Sequence, residues 1–131
     1  KYIPMDSDYY RLLKEIYGDQ AFVVIAEKDE KPIAASFFLQ YRDEMVYLAG
    51  GYEEEASMLR ASYAIQWYMI RKAMERGCTR YNFYGISGCY QPWEEGYGVY
   101  RFKRGFNAGI EEYIGNFILP INPLSHVFKE K

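Results

Sequence analysis

Apolar residues recur at steps of three and four along residues 6–18, DSDYYRLLKEIYG. This spacing places the two leucines and Ile16 on one face and predicts a short amphipathic helix. Asp6 and Ser7 precede the apolar residues as N-cap candidates, and Gly18 follows them where a helix would end.

A longer stretch of helical spacing covers residues 53–77, EEEASMLRASYAIQWYMIRKAMERG. Its glutamates come first, several basic residues gather near its end, and Gly77 closes it, an arrangement that favours a helix. The apolar positions form one stripe that we predict to be the buried face: Leu59, Tyr63, Trp67, Ile70 and Met74.

Three segments between these helices are rich in β-branched and aromatic residues: residues 21–29, 32–41 and 45–51. Short charged turns separate them, so they predict a three-stranded antiparallel meander.

The C-terminal third predicts two further strands, residues 80–86 and 111–119, with a short helix from Tyr97 between them. Two prolines, at 120 and 123, end the last strand, and residues 123–131 suggest a final helical turn. The whole order predicts an α/β (α+β) fold with a mixed, mostly antiparallel sheet flanked by helices. It is similar to the acetyltransferase-like fold called GNAT.

The composition fits one soluble domain, with 131 residues of which half are hydrophobic. The net charge of −2 argues against a generic nucleic-acid binder. Residues 1–59 carry −6 and residues 60–105 carry +5, so the basic middle could attract a polyanion. Cys78 and Cys89 fit no metal or redox spacing, and we expect reduced thiols. No apolar run approaches the roughly 18 residues that span a bilayer.

The segment YGVYRFKRGF, residues 97–106, places three cations among four aromatic rings. At about 100° per residue, Arg101 and Arg104 fall on one side of the helix, while Lys103 lies at the margin of the opposite, apolar stripe. That stripe consists of Val99, Phe102 and Phe106. Lys103 either lays its stem on the core with its ammonium in water, or directs the ammonium into a cleft where negative charge develops.

The stretches RYNFYGISG, GVYRFKRGFNA and EEYIGNFILPINP resemble the C-terminal part of the Fem family of peptidoglycan aminoacyltransferases. YAIQWYMIRKA is similar to that family's long helix. The resemblance is strongest over residues 61–123, and several ordered motifs at compatible spacing make it specific.

The resemblance implies two GNAT-like domains and an aminoacyl-tRNA donor. The acceptor would be an amine on the stem peptide of a peptidoglycan precursor, lipid-linked or UDP-linked, and the product an interpeptide bridge. The family's FK pair lies at the catalytic centre, so Phe102 and Lys103 are the expected catalytic residues, with Lys103 assisting the ester end of the tRNA. Such a reaction needs positioning and oxyanion stabilisation rather than a covalent intermediate. His126 and Ser87 form no nucleophile motif.

Weaker candidates surround this pair. Arg80, Arg101 and Arg104 could contact tRNA phosphates, although an ordinary solvated surface explains each equally well. Tyr84 could line the cleft or be a buried tyrosine with a satisfied hydroxyl.

We expect no cofactor and no metal site. CoA-using members of the fold carry a glycine-bearing pyrophosphate loop at the start of the long helix. Here that junction reads GGYEEEASMLR, and its glutamates would repel a pyrophosphate. A CoA-dependent N-acyltransferase is therefore a distant alternative.

The first residue is Lys rather than Met. We expect residues 1–131 to be a single GNAT-like domain, the C-terminal fragment of a two-domain transferase that lacks its N-terminal domain here. An unpaired strand edge in such a fragment would favour self-association, and we expect it to fold but to be inactive alone. The resemblance implies a cytoplasmic location, which includes the inner face of the membrane. A second hypothesis is a non-catalytic module that binds tRNA or the precursor, with Lys103 structural.

Overall fold

A computed structural model describes residues 5–86, 88–115 and 117, with the backbone alone at 55 and 56. It has three α-helices and one four-stranded sheet in the order β1-β2-β3-β4, which confirms the predicted mixed fold. The elements in chain order are α1 (Ser7–Tyr17), β1 (Ala21–Lys28), β2 (Lys31–Tyr41), β3 (Glu44–Tyr52), α2 (Ala61–Glu75), β4 (Arg80–Asn82) and α3 (Tyr97–Arg104). Short 3₁₀ helices cover Gly18–Gln20 and Glu54–Leu59.

The meander is confirmed, since β1, β2 and β3 pair antiparallel in sequence order. Asp29 and Glu30 join β1 to β2 with positive φ angles of 50° and 63°. Two left-handed residues match the twist of the flanking strands and close a tight hairpin. β4 then pairs parallel to β3, after the crossover through α2.

Helix α1 forms where the pattern predicts it. The Asp6 side chain accepts a hydrogen bond from the Tyr9 amide at 2.8 Å, and Gly18 follows the last turn with a φ of 50°. The helix rests on the sheet through Tyr10, whose ring lies 5.2 Å from that of Phe37. Leu12 and Ile16 remain exposed, so only part of the predicted apolar face is covered.

Helix α2 buries a different face from the predicted one. The predicted stripe is wrong, because Trp67 is 59% exposed and Met74 is 71% exposed, and Leu59 and Tyr63 are exposed as well. The buried side chains are Ala61, Ile65, Gln66, Met69 and Ala73.

Two physical causes explain this rotation of α2. Phe38 and Met45 already fill the sheet surface beneath the helix, and small alanines at its ends allow a close approach. In addition, α2 begins only at Ala61, because Arg60 adopts a left-handed conformation with a φ of 52°. The glutamates therefore lie at the start of the 3₁₀ turn rather than in the first turn of α2, and Leu59 is out of helical register with Tyr63.

The predicted strand over 80–86 ends early, at Asn82. The Asn82 side chain accepts a hydrogen bond from the Tyr84 amide at 2.7 Å, and Tyr84 has a φ of 63°. This local turn competes with strand pairing.

The predicted strand over 111–119 is wrong for its described part, because residues 111–115 and 117 are not in a strand. Gly115 has a φ of 92°, which interrupts an extended run. Residues 116 and 118–131, including Pro120, Pro123, the predicted final turn and His126, lie outside the described residues.

The buried face of α2 gives a direct test in one matched pair of variants. Met69→Ala removes a fully buried side chain beside Phe38 and Met45, so we expect a loss of about 2–5 kcal/mol in the free energy of unfolding. Met74→Ala, on the exposed face of the same helix, should cost less than about 0.5 kcal/mol. Urea unfolding measures both, and equal losses would contradict the observed orientation of α2.

Candidate active site

The parallel strands β3 and β4 pair only briefly. Residues 44–46 pair with 80–82, whereas β3 continues to Tyr52. Among the described residues, no strand pairs with this side of β3 beyond Val46. Leu48 bulges from β3 just past the separation, because Phe37 and Phe38 pair with Ala49 and Tyr47 on either side of it. We call this separation the β3–β4 fork.

The fork is a typical position for a ligand site. Ligands of open sheets bind beyond the carboxyl ends of parallel strands, and bulges are over-represented beside active sites. The chain that leaves β4 at the fork contains Gly85, and that glycine contacts helix α3.

Lys103 of α3 makes this contact. Its Nζ donates a hydrogen bond to the Gly85 carbonyl at 2.5 Å, and the residue is only 9% exposed. It is the one charged residue that is buried in the described part of the chain. Burial lowers the pKa of the Lys103 ammonium, because an apolar surrounding disfavours the charged form. The ammonium is therefore held on the Gly85 carbonyl rather than extended freely into water.

Four rings, which we call the aromatic brace, hold α3 in place. Tyr63 of α2 lies 4.8 Å from Phe102 and 5.4 Å from Phe106, and Phe83 lies 5.3 Å from Phe106. Such edge and stacked ring pairs add to the stabilisation by buried area. A Cβ atom at position 105 would lie 3.2 Å from the Phe102 carbonyl oxygen and 3.5 Å from the Tyr63 ring. The glycine there therefore lets the end of α3 pack closely against Tyr63.

The predicted apolar stripe of α3 is partly wrong. Phe102 and Phe106 are half-buried in the aromatic brace, but Val99 is exposed and Lys103 takes the most buried position of the helix. Lys103 can lie there because its ammonium has a hydrogen-bond acceptor in the Gly85 carbonyl. The sequence marks Gly85 only as a flexible residue, so its role as a hydrogen-bond acceptor has no local signal.

The three candidate arginines have different surroundings. Arg101 and Arg104 are exposed on α3, as their helical positions predict, and Arg104 donates a hydrogen bond to the Tyr100 hydroxyl. Arg80 instead forms ion pairs with Glu111 at 2.7 Å and Glu44 at 3.6 Å. These carboxylates offset the charge that Arg80 would offer to a phosphate.

Tyr84 lies in the loop that leaves the β3–β4 fork, one residue before Gly85, and its side chain is 63% exposed. The alternative of a buried tyrosine is therefore wrong. An exposed ring at this position is available to a ligand.

A buried polar pair in the same region has no obvious sequence signal. The Tyr81 hydroxyl donates to Gln66 Oε1 at 2.7 Å, and Gln66 is fully buried in α2. Burial raises the pKa of the Tyr81 phenol, so it remains a neutral donor. Gln66 Nε2 has no hydrogen-bond partner among the described residues. The apolar pattern of α2 does not identify Gln66 as a buried residue, because this polar side chain lies between the apolar positions.

Potential metal ligands are dispersed over the described part of the chain. No three His, Cys, Asp or Glu side chains lie close enough there to hold a metal ion, and Ser87 and His126 lie outside the described residues. None of the described helices has the length and apolar character needed to cross a membrane.

Solved structures define the class of fold. The chain is similar to the aminoglycoside antibiotic 6'-N-acetyltransferase AAC(6')-Ih from Acinetobacter baumannii, with a TM-score of 0.67 over 92% of this chain and 85% of that one, at 10% identity. The AAC(6')-IG enzyme from Acinetobacter haemolyticus gives a TM-score of 0.60 over 91% and 86%, at 14% identity. The fold is thus that of the GNAT acetyltransferases, as predicted.

Sequence comparison defines the family. The FemAB family profile matches residues 27–130. Aminoacyltransferase FemA of Staphylococcus epidermidis is 46% identical over 102 residues, which cover 77% of this chain and 24% of the relative. Aminoacyltransferase FemA of Staphylococcus aureus is 49% identical over 94 residues, which cover 72% and 22%. The chain belongs to the FemAB family, and it spans about a quarter of the length of these curated relatives.

The buried ammonium predicts a pH dependence of stability. Lys103 has its lowered pKa only in the folded protein and returns to about 10.5 in the unfolded chain. Between these two values the unfolded chain binds more protons, so the free energy of unfolding rises with pH in this window. Below the folded pKa, the cost of burying the charge is fully present.

Lys103→Met removes this titration. In urea unfolding between pH 7 and 10.5, we expect the free energy of the natural protein to rise relative to that of Lys103→Met. Lys103→Met also loses the hydrogen bond to Gly85, which changes the free energy of unfolding by an amount that does not depend on this titration. Lys28→Met removes an exposed charge and sets the baseline. A difference curve for Lys103→Met as flat as that baseline would contradict the burial of the charged form.

Proposed function

We propose that this chain carries the catalytic-lysine part of an aminoacyltransferase. The enzyme would transfer an amino acid from aminoacyl-tRNA to an amine on the stem peptide of a peptidoglycan precursor and so build interpeptide bridges. Membership of the FemAB family and relatives named aminoacyltransferase support the transferase class. The observation that carries the proposal is the buried Lys103, whose ammonium is fixed on Gly85 in the loop that leaves the β3–β4 fork.

The proposed reaction forms a bond between the acceptor nitrogen and the ester carbonyl carbon, and it breaks the bond from that carbon to the ribose oxygen. Negative charge develops on the carbonyl oxygen as the amine attacks. A preorganised cation in a site of low polarity stabilises this charge more strongly than water does. The proton that the amine loses ends on the departing ribose oxygen.

The surroundings of Lys103 suit this role. One ammonium proton goes to Gly85, and an ammonium has three donors, so two remain to meet the developing oxyanion. Burial lowers its pKa and makes it a better proton donor to the departing oxygen, and the proton that the amine loses then restores the ammonium. Phe102 would fix the direction of the lysine through the aromatic brace rather than take part in proton transfer.

The remaining candidates divide by their surroundings. Arg101 and Arg104 are exposed on the helix that carries Lys103 and would contact the tRNA. Arg80 is a weaker candidate, because Glu111 and Glu44 occupy its guanidinium. Tyr84 would line the acceptor side of the fork.

One observation favours a second candidate function. The hydrogen bond from Lys103 to Gly85 also fastens α3 to the loop after β4, which is what a purely structural lysine would do. On that view the chain is a non-catalytic module that binds tRNA or the precursor.

A transfer assay on the intact protein separates the two functions. With a panel of charged tRNAs and a muropeptide precursor, Lys103→Ala should lower the turnover rate by about 100- to 1000-fold, the usual cost of one oxyanion donor. Precursor binding should persist, and Lys28→Ala should leave the rate unchanged. A near-normal rate for Lys103→Ala would reject catalysis by this residue, and a melting curve shows whether the variant is folded.

We also propose that the domain does not bind CoA. The long helix begins at Ala61 after a 3₁₀ turn, and the exposed residues Glu53 and Glu54 precede its N-terminus. Their charge opposes a pyrophosphate at this position. Calorimetry with CoA should give no saturable heat, whereas micromolar binding would contradict the proposal.

A further inference from the structure

The bulge at Leu48 brings two residues of β3 onto one face of the sheet. Tyr47 pairs with Phe38 and Gly50 pairs with Ser36, two residues further back on β2. Side chains two residues apart on a strand point to the same side, so Tyr47 and Gly50 share one face. Without the extra residue, positions 47 and 50 would face opposite sides. The shared face is the one that packs against α2.

Gly50 leaves room on that face for two hydroxyl groups. A Cβ atom at position 50 would overlap the Tyr47 hydroxyl and lie 2.7 Å from Ser36 Oγ, closer than side-chain atoms approach a Cβ atom. A glycine is therefore required if the Tyr47 hydroxyl is to lie over the strand. Gly51, the next residue, has no such constraint, because a Cβ atom there would meet no described atom within 4 Å beyond its chain neighbours.

These hydroxyl groups continue into the buried polar pair at the point where β3 and β4 separate. Tyr47 directly follows Val46, the last residue of β3 that pairs with β4. Burial and then the neighbouring Tyr47 phenol raise the pKa of Tyr81, whose hydroxyl donates to Gln66. We call four side chains the polar row: Ser36, Tyr47, Gln66 and Tyr81.

The polar row contains hydrogen-bonding groups but no charge, which limits what it can bind. A phosphate or carboxylate buried here would require a cation beside it. An apolar chain would leave Gln66 Nε2 without an acceptor, as it is among the described residues of the free domain.

A second buried glutamine shows how this side chain is satisfied elsewhere in the described chain. Gln40 Oε1 accepts a hydrogen bond from Arg76, and its Nε2 donates to the Arg42 carbonyl at 3.1 Å. Gln66 has a partner at one end only, so the row still requires an acceptor. Uncharged amides fit this requirement, because each offers a carbonyl acceptor and most offer an N–H donor.

We infer that the polar row binds amide groups of the acceptor's stem peptide, with Tyr47 as the contact nearest the opening of the fork. This inference rests on the proposed function, which names the acceptor. Tyr47 is half-buried and Gly50 is exposed, so a ligand can reach this end of the row from the open side of β3. Gln66 has no exposed surface, so its amide would gain an acceptor only as the incoming peptide displaces the side chains that cover it.

The row lies close to the proposed reaction centre along the chain. Tyr81 comes four residues before Gly85, whose carbonyl holds the Lys103 ammonium. Four residues span at most about 14 Å, a distance that an extended peptide of similar length covers. A stem peptide held by its amides on the row could therefore direct its amine towards the ester beside Lys103.

Calorimetry with the intact protein tests the row with two ligands, a UDP-linked muropeptide and UDP-N-acetylmuramic acid, which lacks the peptide. Tyr47→Phe should weaken muropeptide binding by about 2- to 10-fold, the loss of one hydrogen bond. The affinity for the sugar nucleotide should stay unchanged, because it offers the row no peptide. In the transfer assay, the same variant should raise the KM for the muropeptide but not the KM for charged tRNA.

The glycine pair supplies a matched control. Gly50→Ala should give the same selective loss as Tyr47→Phe, because the added methyl group displaces the Tyr47 hydroxyl. Gly51→Ala adds the same methyl group to the same strand and should leave both affinities unchanged. A melting curve shows whether each variant is folded. If Gly50→Ala does not fold, Tyr47→Phe, which removes a single oxygen atom, carries the test.

Three results would overturn the inference: equal weakening of both ligands in Tyr47→Phe, no weakening of either, or a higher KM for charged tRNA with an unchanged KM for the muropeptide. The outcome is separate from that of the proposed function. If the natural protein transfers no amino acid but Tyr47→Phe selectively weakens muropeptide binding, only the proposed function fails. If it transfers normally and Tyr47→Phe keeps the KM for the muropeptide, only the role of the polar row fails.

Discussion

The organisation of this domain depends on the hydrogen bond from a buried ammonium to a backbone carbonyl. Lys103 brings a charge into a half-apolar environment, and the Gly85 carbonyl offsets part of the desolvation. The bond joins α3 to the loop that leaves β4, two parts of the chain 18 residues apart. Without it, the end of the sheet and the last described helix would be connected mainly by ring contacts.

Those ring contacts determine where the ammonium can lie. The aromatic brace links α2, α3 and the residue after β4, so α3 cannot rotate without separating Tyr63 from Phe102 and Phe106. Although Tyr63 lies on the exposed face of α2, its ring packs against α3 and stabilises the position of that helix. The same rotation of α2 that leaves Trp67 in solvent places Gln66 beneath Tyr81. One helix orientation thus sets both the brace and the buried polar pair.

Local pattern predicted the elements of this fold better than their faces. Helix α1 and the meander were predicted correctly from the cap at Asp6, the polar turns and the composition of the strands. These signals act over a few residues and are therefore visible in the sequence. The prediction of the buried face of α2 was wrong, because both sides of the helix carry apolar residues. Packing against the sheet below, which the local pattern does not show, determines which side is buried. For Lys103, periodicity reached the margin of the stripe but could not select the buried state. Its partner is distant in sequence, and carbonyl groups leave no mark in the residue pattern.

Strand β3 runs six residues past its last partner on β4. Past that point no strand of the described residues pairs with β3, and its peptide groups require other hydrogen-bond partners, such as water or a molecule that lies along them. Hydrogen bonds between main chains do not depend on side-chain identity. An extended peptide held along β3 would therefore be recognised by its backbone. Discrimination between chemically different molecules would then fall to the few side chains at the mouth of the fork, which can vary without disturbing the sheet.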